Sequence, residues 1–278
     1  MMMKKIMYVG MLFLMVLSVT SCKKVKFDET KKTLVVGLEC DYAPFNWLET
    51  TKTETNYPVE NVSGGYAEGY DVQMAKAICK ELGYTLVIKK ISFDGLISAL
   101  DSGAIDAIIA GMSPTDERKL SIQFSDAYYH SKHVLLCLKD SPYVNAKTFQ
   151  QLSGAKVIGQ LSTTYDTLAK QISQKNAHCT YLQGLETIPL IVNAIKSNVA
   201  DLTVLEEPVG KGLVSRDEAL TYFALDEAFD LNEADTIVSV GLRKVDTSLC
   251  EKINQALAKI SPEMRDTYME NAVNAGEN

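Results

Sequence analysis

Positive charge and histidine are both scarce in this 278-residue sequence, and each shortage limits what the chain can do. Aspartate and glutamate outnumber lysine and arginine by 35 to 28, so the formal net charge is −7. Because such a chain repels a phosphate backbone, nucleic-acid binding is not expected. Two of the three histidines, His130 and His133, lie in a segment that looks extended. Their spacing puts the two side chains on opposite faces, so no metal site is predicted.

The sequence also lacks the short motifs that mark common catalytic and cofactor sites. It contains no Gly-x-Ser-x-Gly, His-Glu-x-x-His, Walker or dinucleotide-binding pattern. No two acidic residues stand out as a general acid and its partner base. We therefore predict that the chain is not an enzyme and binds no cofactor.

Cysteines are few and are not spaced for a metal. Six are present, and no two of them stand at Cys-x-x-Cys spacing. One of them, Cys22, ends the N-terminal apolar segment; the others are Cys40, Cys79, Cys137, Cys179 and Cys250. Five thiols cannot all pair within the chain, so mostly buried free thiols are expected. An exported protein could also hold one or two disulfides.

The first 21 residues have the pattern of an export signal. Two lysines precede an apolar stretch at residues 6–19, which is shorter than the ~20 residues of a membrane span. The Val-Thr-Ser-Cys sequence that follows resembles a bacterial lipobox, which implies cleavage of residues 1–21 and lipid attachment at Cys22. A plain secretory signal and an N-terminal anchor helix are the alternatives. We predict an exported protein, anchored by lipid and a tether at residues 22–32 to the periplasmic or extracellular face of the cell membrane.

The rest of the chain alternates between apolar runs and helical periodicity, as α/β proteins do. Apolar residues recur at helical spacing after Asp71, and this pattern stops at Gly83. Residues 49–69 are polar and rich in glycine, which predicts a long loop. The alternation restarts near residue 134, so we predict two α/β units with parallel sheets. The runs interpreted as strands include residues 34–38, 86–91, 105–110, 134–138, 155–161, 200–205 and 237–242.

Polar clusters follow four of the apolar runs, at residues 41–46, 111–118, 162–164 and 206–207. Ligands of open parallel sheets bind beyond the carboxyl ends of the strands, close to helix N-termini. We therefore expect these four clusters to carry the function.

Two of the clusters suit an anion. Residues 111–118 join a glycine turn to Arg118, and a guanidinium group can hold a carboxylate with two parallel bonds. Alternatively, Ser113 or Thr115 only caps a helix there, and Arg118 makes a surface ion pair. Residues 162–164 bring hydroxyl and N–H groups to a helix start, which favours anions. Helix capping alone would also explain them.

The other groups suit a cation and an apolar body. Glu206 or Glu207, at the end of an apolar run, could accept an ammonium group; an acidic first helical turn is the alternative. Tyr42 and Phe93 could form the walls of a pocket. An anion site and a carboxylate on different units suit a zwitterion, and an α-amino acid is the simplest one.

Seven stretches of the sequence resemble the bacterial polar amino-acid-binding proteins of ABC importers, the family-3 type of extracellular solute-binding protein. They are LVVGLECDYAPFNW, GYDVQMAKAICKELG, FDGLISALDSGAIDAIIAGMSPTDER, FSDAYY, GQLSTTYD, ADLTVLEEPVGKGL and VGLRKVD. The resemblance implies an α/β fold of the type II periplasmic-binding-protein class, in which two lobes joined by two hinge strands close on a ligand. Lobe 1 is then residues 33–131 plus 237–278, and lobe 2 is residues 132–236.

The resemblance also implies which residues hold the carboxylate end of the ligand. Arg118 matches the arginine that clamps the α-carboxylate, and Gly111 and Ser113 match the turn beside it. Thr163 and Thr164 match the pair that holds the same carboxylate from lobe 2.

The rest of the ligand is assigned in the same way. Glu206 lies where the family usually has an aspartate that accepts the α-ammonium, and Tyr42 and Phe93 match aromatic walls around the side chain. Glu39 lies where some binders of cationic amino acids place an acid. Ser162 departs from the family, because a glycine usually precedes the threonine pair, and this departure puts the shape of the turn in doubt.

The resemblance implies a substrate-binding lipoprotein that captures a free L-amino acid by lobe closure. It would deliver that ligand to an ABC permease and its ATPase, as a monomer that meets the membrane only through its lipid. Glu39 and the acidic charge favour arginine or lysine mildly, while glutamine, histidine and cystine remain open. The alternatives are an exported enzyme on the same fold, of the cyclohexadienyl or arogenate dehydratase kind, and a receptor module for a sensor.

Overall fold

The computed structural model describes residues 25–275. The predicted signal peptide and the predicted lipid attachment at Cys22 lie outside the described residues. Within the described range, no helix combines the length and the apolar character needed to cross a bilayer.

Fourteen strands are found in the described residues, most of them short. In chain order they are β1 (Thr33–Leu38), β2 (Asp41–Tyr42), β3 (Asn46–Glu49), β4 (Tyr57–Pro58), β5 (Tyr66–Glu68), β6 (Thr85–Lys90), β7 (Ala107–Ile108), β8 (Ile122–His130), β9 (His133–Leu138), β10 (Lys156–Ile158), β11 (Thr180–Tyr181), β12 (Leu202–Glu206), β13 (Leu220–Phe223) and β14 (Ile237–Arg243).

Most of the α-helices begin and end near residues of the types that favour helix termini. They are α1 (Tyr70–Leu82), α2 (Leu96–Ser102), α3 (Asp116–Ser121), α4 (Thr164–Lys175), α5 (Ile188–Lys196), α6 (Glu207–Arg216), α7 (Thr247–Leu257) and α8 (Pro262–Ala275). The predicted stop of α1 at Gly83 is confirmed: this glycine has a φ of +65°, and its N–H bonds the carbonyl oxygens of Cys79 and Lys80.

Two five-stranded sheets repeat one pattern. Their strand orders are β6-β1-β7-β14-β8 and β11-β10-β12-β9-β13. In each sheet the first three strands are parallel and the last two add in antiparallel fashion. The chain leaves the first sheet after β8 and returns to it in β14. The two crossings touch, because the Ser131 N–H donates to the carbonyl oxygen of Thr236 (2.7 Å).

The segment predicted to be a long loop, residues 49–69, differs from that prediction because it contains strands. Strands β4 and β5 join β2 and β3 in a third sheet of order β2-β3-β5-β4. Strands of two or three residues show no periodicity in sequence, and Pro58 is tolerated because β4 lies at a sheet edge.

The segment predicted to be a tether also differs over its described part. Phe27 is buried in the core, and its N–H donates to the Asp246 carboxylate (2.8 Å). The chain is therefore fastened to the fold from Phe27 onward. The expectation of buried thiols is confirmed for the described residues, since Cys40, Cys79, Cys137, Cys179 and Cys250 are all free and buried.

Candidate functional site

All nine residues that the resemblance assigned to ligand binding line one cavity between the two large sheets. The cavity is lined by Glu39, Tyr42, Phe93, Gly111, Ser113, Arg118, Thr163, Thr164 and Glu206, together with Gln160 and Tyr165. That these residues bind a ligand stays a prediction.

The sheets bring these residues together through the ends of their strands. Glu39 follows β1 and Glu206 ends β12, so the carboxyl ends of strands in both sheets point toward the same cavity. Gly111 and Gln160 follow β7 and β10 in the same manner. This is the placement expected of a binding site in parallel α/β sheets.

Arg118 is held in place from both sides of the cavity. Its Nη1 donates to the Ser113 carbonyl oxygen (2.9 Å) and its Nη2 to the Ser162 carbonyl oxygen (2.9 Å). The guanidinium also lies over the Phe93 ring, 5.1 Å from its centroid. Burial lowers the pKa of Arg118 to about 10, so the group keeps its charge at neutral pH. A guanidinium has five N–H donors, which leaves three for an anion in the cavity.

The turn before Arg118 depends on glycine at position 111. Gly111 has a φ of +61°, and a Cβ there would lie 2.7 Å from the Tyr42 ring. Its N–H donates to the Tyr128 hydroxyl (3.3 Å), which in turn donates to the buried carboxylate of Asp71 (2.6 Å). The turn therefore rests on a polar network beneath the cavity. The Ser113 side chain faces the cavity, and no hydrogen bond to its hydroxyl is found within residues 25–275.

The two threonines at the start of α4 have different tasks. Thr163 is the N-cap: its Oγ1 accepts from the Tyr165 N–H (3.2 Å) and donates to the Gln160 carbonyl oxygen (2.7 Å). The capping interpretation therefore holds for Thr163. Thr164 opens the helix, where backbone N–H groups lack a partner within the helix and favour an anion.

Ser162 keeps the backbone shape that glycine would adopt. Its φ is +62°, in the left-handed region that L-residues avoid. The doubt about this turn is thus answered: the shape is retained, and the Ser162 carbonyl accepts the bond from Arg118.

The left-handed serine leads to a prediction about stability. Replacing Ser162 with glycine should raise the free energy of unfolding by about 0.5–1 kcal/mol, because relief of the left-handed backbone outweighs the extra freedom of glycine in the unfolded chain. Urea unfolding of the ligand-free protein measures the change. Asn198, with a φ of +58°, provides the control. Asparagine tolerates this region, so Asn198→Gly should gain less; a destabilised Ser162→Gly variant would contradict the argument.

Glu206 is the acid that faces the cavity, whereas Glu207 is exposed. Glu206 occupies the N-cap position of α6, yet its side chain makes no capping bond. Its carboxylate instead accepts from the Tyr42 hydroxyl, which also contacts the Tyr165 hydroxyl. Burial raises the pKa of Glu206 to about 7, although the Tyr165 and Tyr42 hydroxyls counteract this effect.

Glu39 is a second buried acid that lines the cavity. It is only 3% exposed, and its Oε1 accepts from the Gln160 side-chain amide (2.8 Å). The same amide donates to the Glu186 carbonyl oxygen (3.0 Å). Burial raises the pKa of Glu39 to about 7, with the Gln160 bond acting in the other direction.

Several hydrogen bonds cross the cavity from one sheet to the other. Arg118 reaches Ser162, and Gln160 reaches Glu39. Tyr42 reaches Glu206 and Tyr165. The structure is therefore a closed form in which both walls touch.

Sequence reasoning missed Gln160 and Tyr165, although both adjoin a cluster that it identified. The window at residues 162–164 was drawn too narrowly, since the residues just outside it share the strand end and the helix start. His130 ends β8 and His133 begins β9, so the two histidines lie on different strands. Within residues 25–275, no group of three histidine, cysteine or acidic residues is placed to hold a metal.

Chemically, the cavity offers a fixed cation near a helix N-terminus and a carboxylate from the opposite wall. Such a pair of opposite charges suits a zwitterion. Tyr42, Phe93 and the acid at Glu39 line the same cavity.

Comparison with known proteins places this cavity in context. The profile of the bacterial extracellular solute-binding proteins, family 3, matches residues 34–269. The arginine-binding extracellular protein ArtP of Bacillus subtilis is 31% identical over 233 residues, which cover 84% of this chain and 82% of ArtP. A probable histidine-binding protein of Campylobacter jejuni is 32% identical over 238 residues, covering 83% of this chain and 85% of that protein.

A solved structure is similar over nearly the whole chain. It is the amino-acid ABC transporter substrate-binding protein AbpA of Streptococcus pneumoniae bound to L-arginine, with a TM-score of 0.74 and 28% identity. The match covers 90% of this chain and 98% of AbpA. The predicted fold class, two α/β lobes of the type II kind, is confirmed.

Proposed function

Because the chain belongs to the bacterial extracellular solute-binding proteins of family 3, we propose that it captures a free L-amino acid for an ABC importer. Relatives that are named for binding arginine, or as probable binders of histidine, support the proposal. The ligand lies in the cavity between the lobes, with its α-carboxylate on Arg118 and its α-ammonium on Glu206.

One observation carries this proposal: Arg118 and Glu206 come from opposite lobes and line the same cavity. A ligand that binds both groups makes its full set of contacts only when the lobes are closed. Such a ligand stabilises the closed form by the difference between its affinities for the two states. The closed form then delivers the amino acid to the permease and its ATPase.

The ligand that we propose first is L-arginine. Glu39 supplies a second buried carboxylate to the cavity, and a carboxylate suits the guanidinium of an arginine side chain. ArtP and AbpA, which support this choice, are arginine binders by name or by bound ligand. Lysine, histidine, glutamine and cystine are the competing ligands.

The remaining proposals concern the location of the protein. We propose that export and cleavage leave Cys22 as a lipid-modified N-terminus and that the monomeric protein is anchored by that lipid. Phe27, fastened to Asp246, would then begin the folded part a few residues from the membrane surface.

Calorimetric titration with these amino acids tests the function. We expect one L-arginine to bind per chain. We expect Glu39→Gln to lower the affinity for L-arginine more than the affinity for glutamine. Recovery of the ligand after incubation separates a binding protein from an enzyme. Unchanged arginine supports the proposal, whereas a converted product, or no binding by any amino acid of the panel, would overturn it.

The two buried acids also predict how binding depends on pH. In the closed ligand-free cavity, burial raises the pKa of both Glu39 and Glu206 to about 7, so both are protonated at lower pH. L-arginine requires both carboxylates ionised. Its affinity should therefore fall by up to about tenfold per carboxylate for each pH unit below 7, and it should level off above 7.

Titrations between about pH 5.5 and pH 8 measure this slope. Glu39→Gln removes one of the two titrating groups and should halve the slope, which makes it the matched control. A flat profile across this range would contradict the prediction.

A further inference from the structure

A second cavity adjoins the first one and shares Glu39 with it. It is the larger of the two cavities. Both lobes line it: Asp41 and Asp94 come from lobe 1, and Glu186 and Thr187 come from lobe 2. Glu39 is therefore a partition between two spaces and not the end wall of one.

The second cavity is strongly acidic. Four carboxylates line it, from Glu39, Asp41, Asp94 and Glu186, against the single lysine Lys90. Lys90 is already paired with Asp41 at 2.6 Å. No ion pair of Asp94 or Glu186 is found within residues 25–275, so the cavity retains an excess of negative charge that favours a cation.

Glu39 itself has bonding capacity to spare. It is 3% exposed, and its Oε1 is engaged by Gln160, but no hydrogen bond to its Oε2 is found in the described part of the chain. The Oε2 atom is therefore available to accept a hydrogen bond from a donor on the ligand.

Resting on the proposed function, we infer that the binding site extends past Glu39 into the second cavity. It accepts cationic amino acids whose side chain is enlarged at its charged end, such as arginines alkylated on the guanidinium. The α-amino-acid part stays between Arg118 and Glu206. The guanidinium bonds Glu39, and its substituents project into the acidic space beyond.

Calorimetry with L-arginine and symmetric dimethyl-L-arginine tests this inference on the intact protein. If the pocket ended at Glu39, the added methyl groups would lower the affinity by roughly 10–200-fold. We expect instead that the two ligands bind within about tenfold of each other. If L-arginine binds and dimethyl-L-arginine is rejected, this inference is overturned while the proposed function stands; if neither binds, both are overturned.

A variant that fills the second cavity sharpens the test. Ser92 is exposed, lines that cavity and makes no side-chain capping bond, so Ser92→Trp should occupy the space without unfolding the protein. This variant should lower the affinity for dimethyl-L-arginine at least tenfold more than the affinity for L-arginine. Ser102→Trp, at an exposed serine outside both cavities, is the matched control and should affect neither ligand. Equal loss of both ligands in Ser92→Trp, or no loss of either, overturns the inference.

Discussion

Replacing Arg118 with alanine should weaken amino-acid binding between roughly thirtyfold and a few thousandfold. Truncating one partner of a buried, hydrogen-bonded charge pair costs about 2–5 kcal/mol, and each 1.4 kcal/mol is tenfold in affinity. Removal of this guanidinium should cost that much affinity because the group is held rigidly in the cavity. It is fixed by two carbonyl oxygens and the Phe93 ring, so its remaining donors are already oriented before a ligand arrives.

The variant should remain folded. The bonds lost within the protein are those to the Ser113 and Ser162 carbonyls, and the N-cap of α3 by Thr115 uses the Arg118 backbone N–H, which alanine retains. Arg118→Lys keeps the charge but loses the planar fork, so its affinity should lie between those of the wild type and Arg118→Ala.

Calorimetry measures the loss, and thermal unfolding with and without L-arginine reports folding and binding together, because a ligand that binds the native state raises the midpoint. Arg216→Ala is the matched control. Arg216 bonds the Gly212 carbonyl on α6 and does not line the cavity, so its removal should leave affinity unchanged. Wild-type affinity in a folded Arg118→Ala variant would refute the proposed carboxylate site.

The sequence could predict that the site residues line one cavity, because that prediction requires only the positions of the strand ends and no individual contacts. Polar clusters that end apolar runs converge wherever parallel strands share a carboxyl edge. The end of α1 at Gly83 was equally local, since a helical pattern and a glycine stop lie next to each other in sequence.

What could not be predicted depends on contacts between distant residues. Asp71 lies in the first turn of α1, as the sequence predicts, and it is also a fully buried carboxylate that accepts from Tyr128 and Asn46, which the sequence does not predict. Burial raises its pKa to about 6. Nothing near position 71 in the sequence indicates a partner 57 residues away. The different roles of Thr163 and Thr164 likewise become visible only from the hydrogen bonds in the folded structure.

Replacing Glu206 with glutamine should have two effects of opposite sign. Binding of an L-amino acid should weaken by roughly thirtyfold to a few thousandfold, because the amide cannot neutralise the α-ammonium. The ligand-free protein should become more stable at about pH 8, by an amount of the order of 3 kcal/mol. The amide oxygen still accepts from the Tyr42 hydroxyl, so that contact is kept.

The sign of the stability change follows from the raised pKa. In the closed structure burial raises the pKa of Glu206 from 4.5 to about 7, so the protonated form is the one that the native state favours. The wild type loses this stability as the pH rises from about 4.5 through about 7, whereas glutamine has no proton to lose. The gain should therefore disappear at about pH 4.5, where the wild-type carboxyl is protonated.

This pair of effects separates a binding role from a structural one. A residue that only supports the fold would lower stability when replaced, and binding would follow stability downward. Glu207→Gln, one position along and exposed, is the matched control and should change neither quantity. Unfolding at two pH values together with calorimetry decides the matter. If Glu206→Gln binds L-arginine as tightly as the wild type, the ammonium site lies elsewhere; if it binds weakly and is also less stable at pH 8, Glu206 acts through the fold.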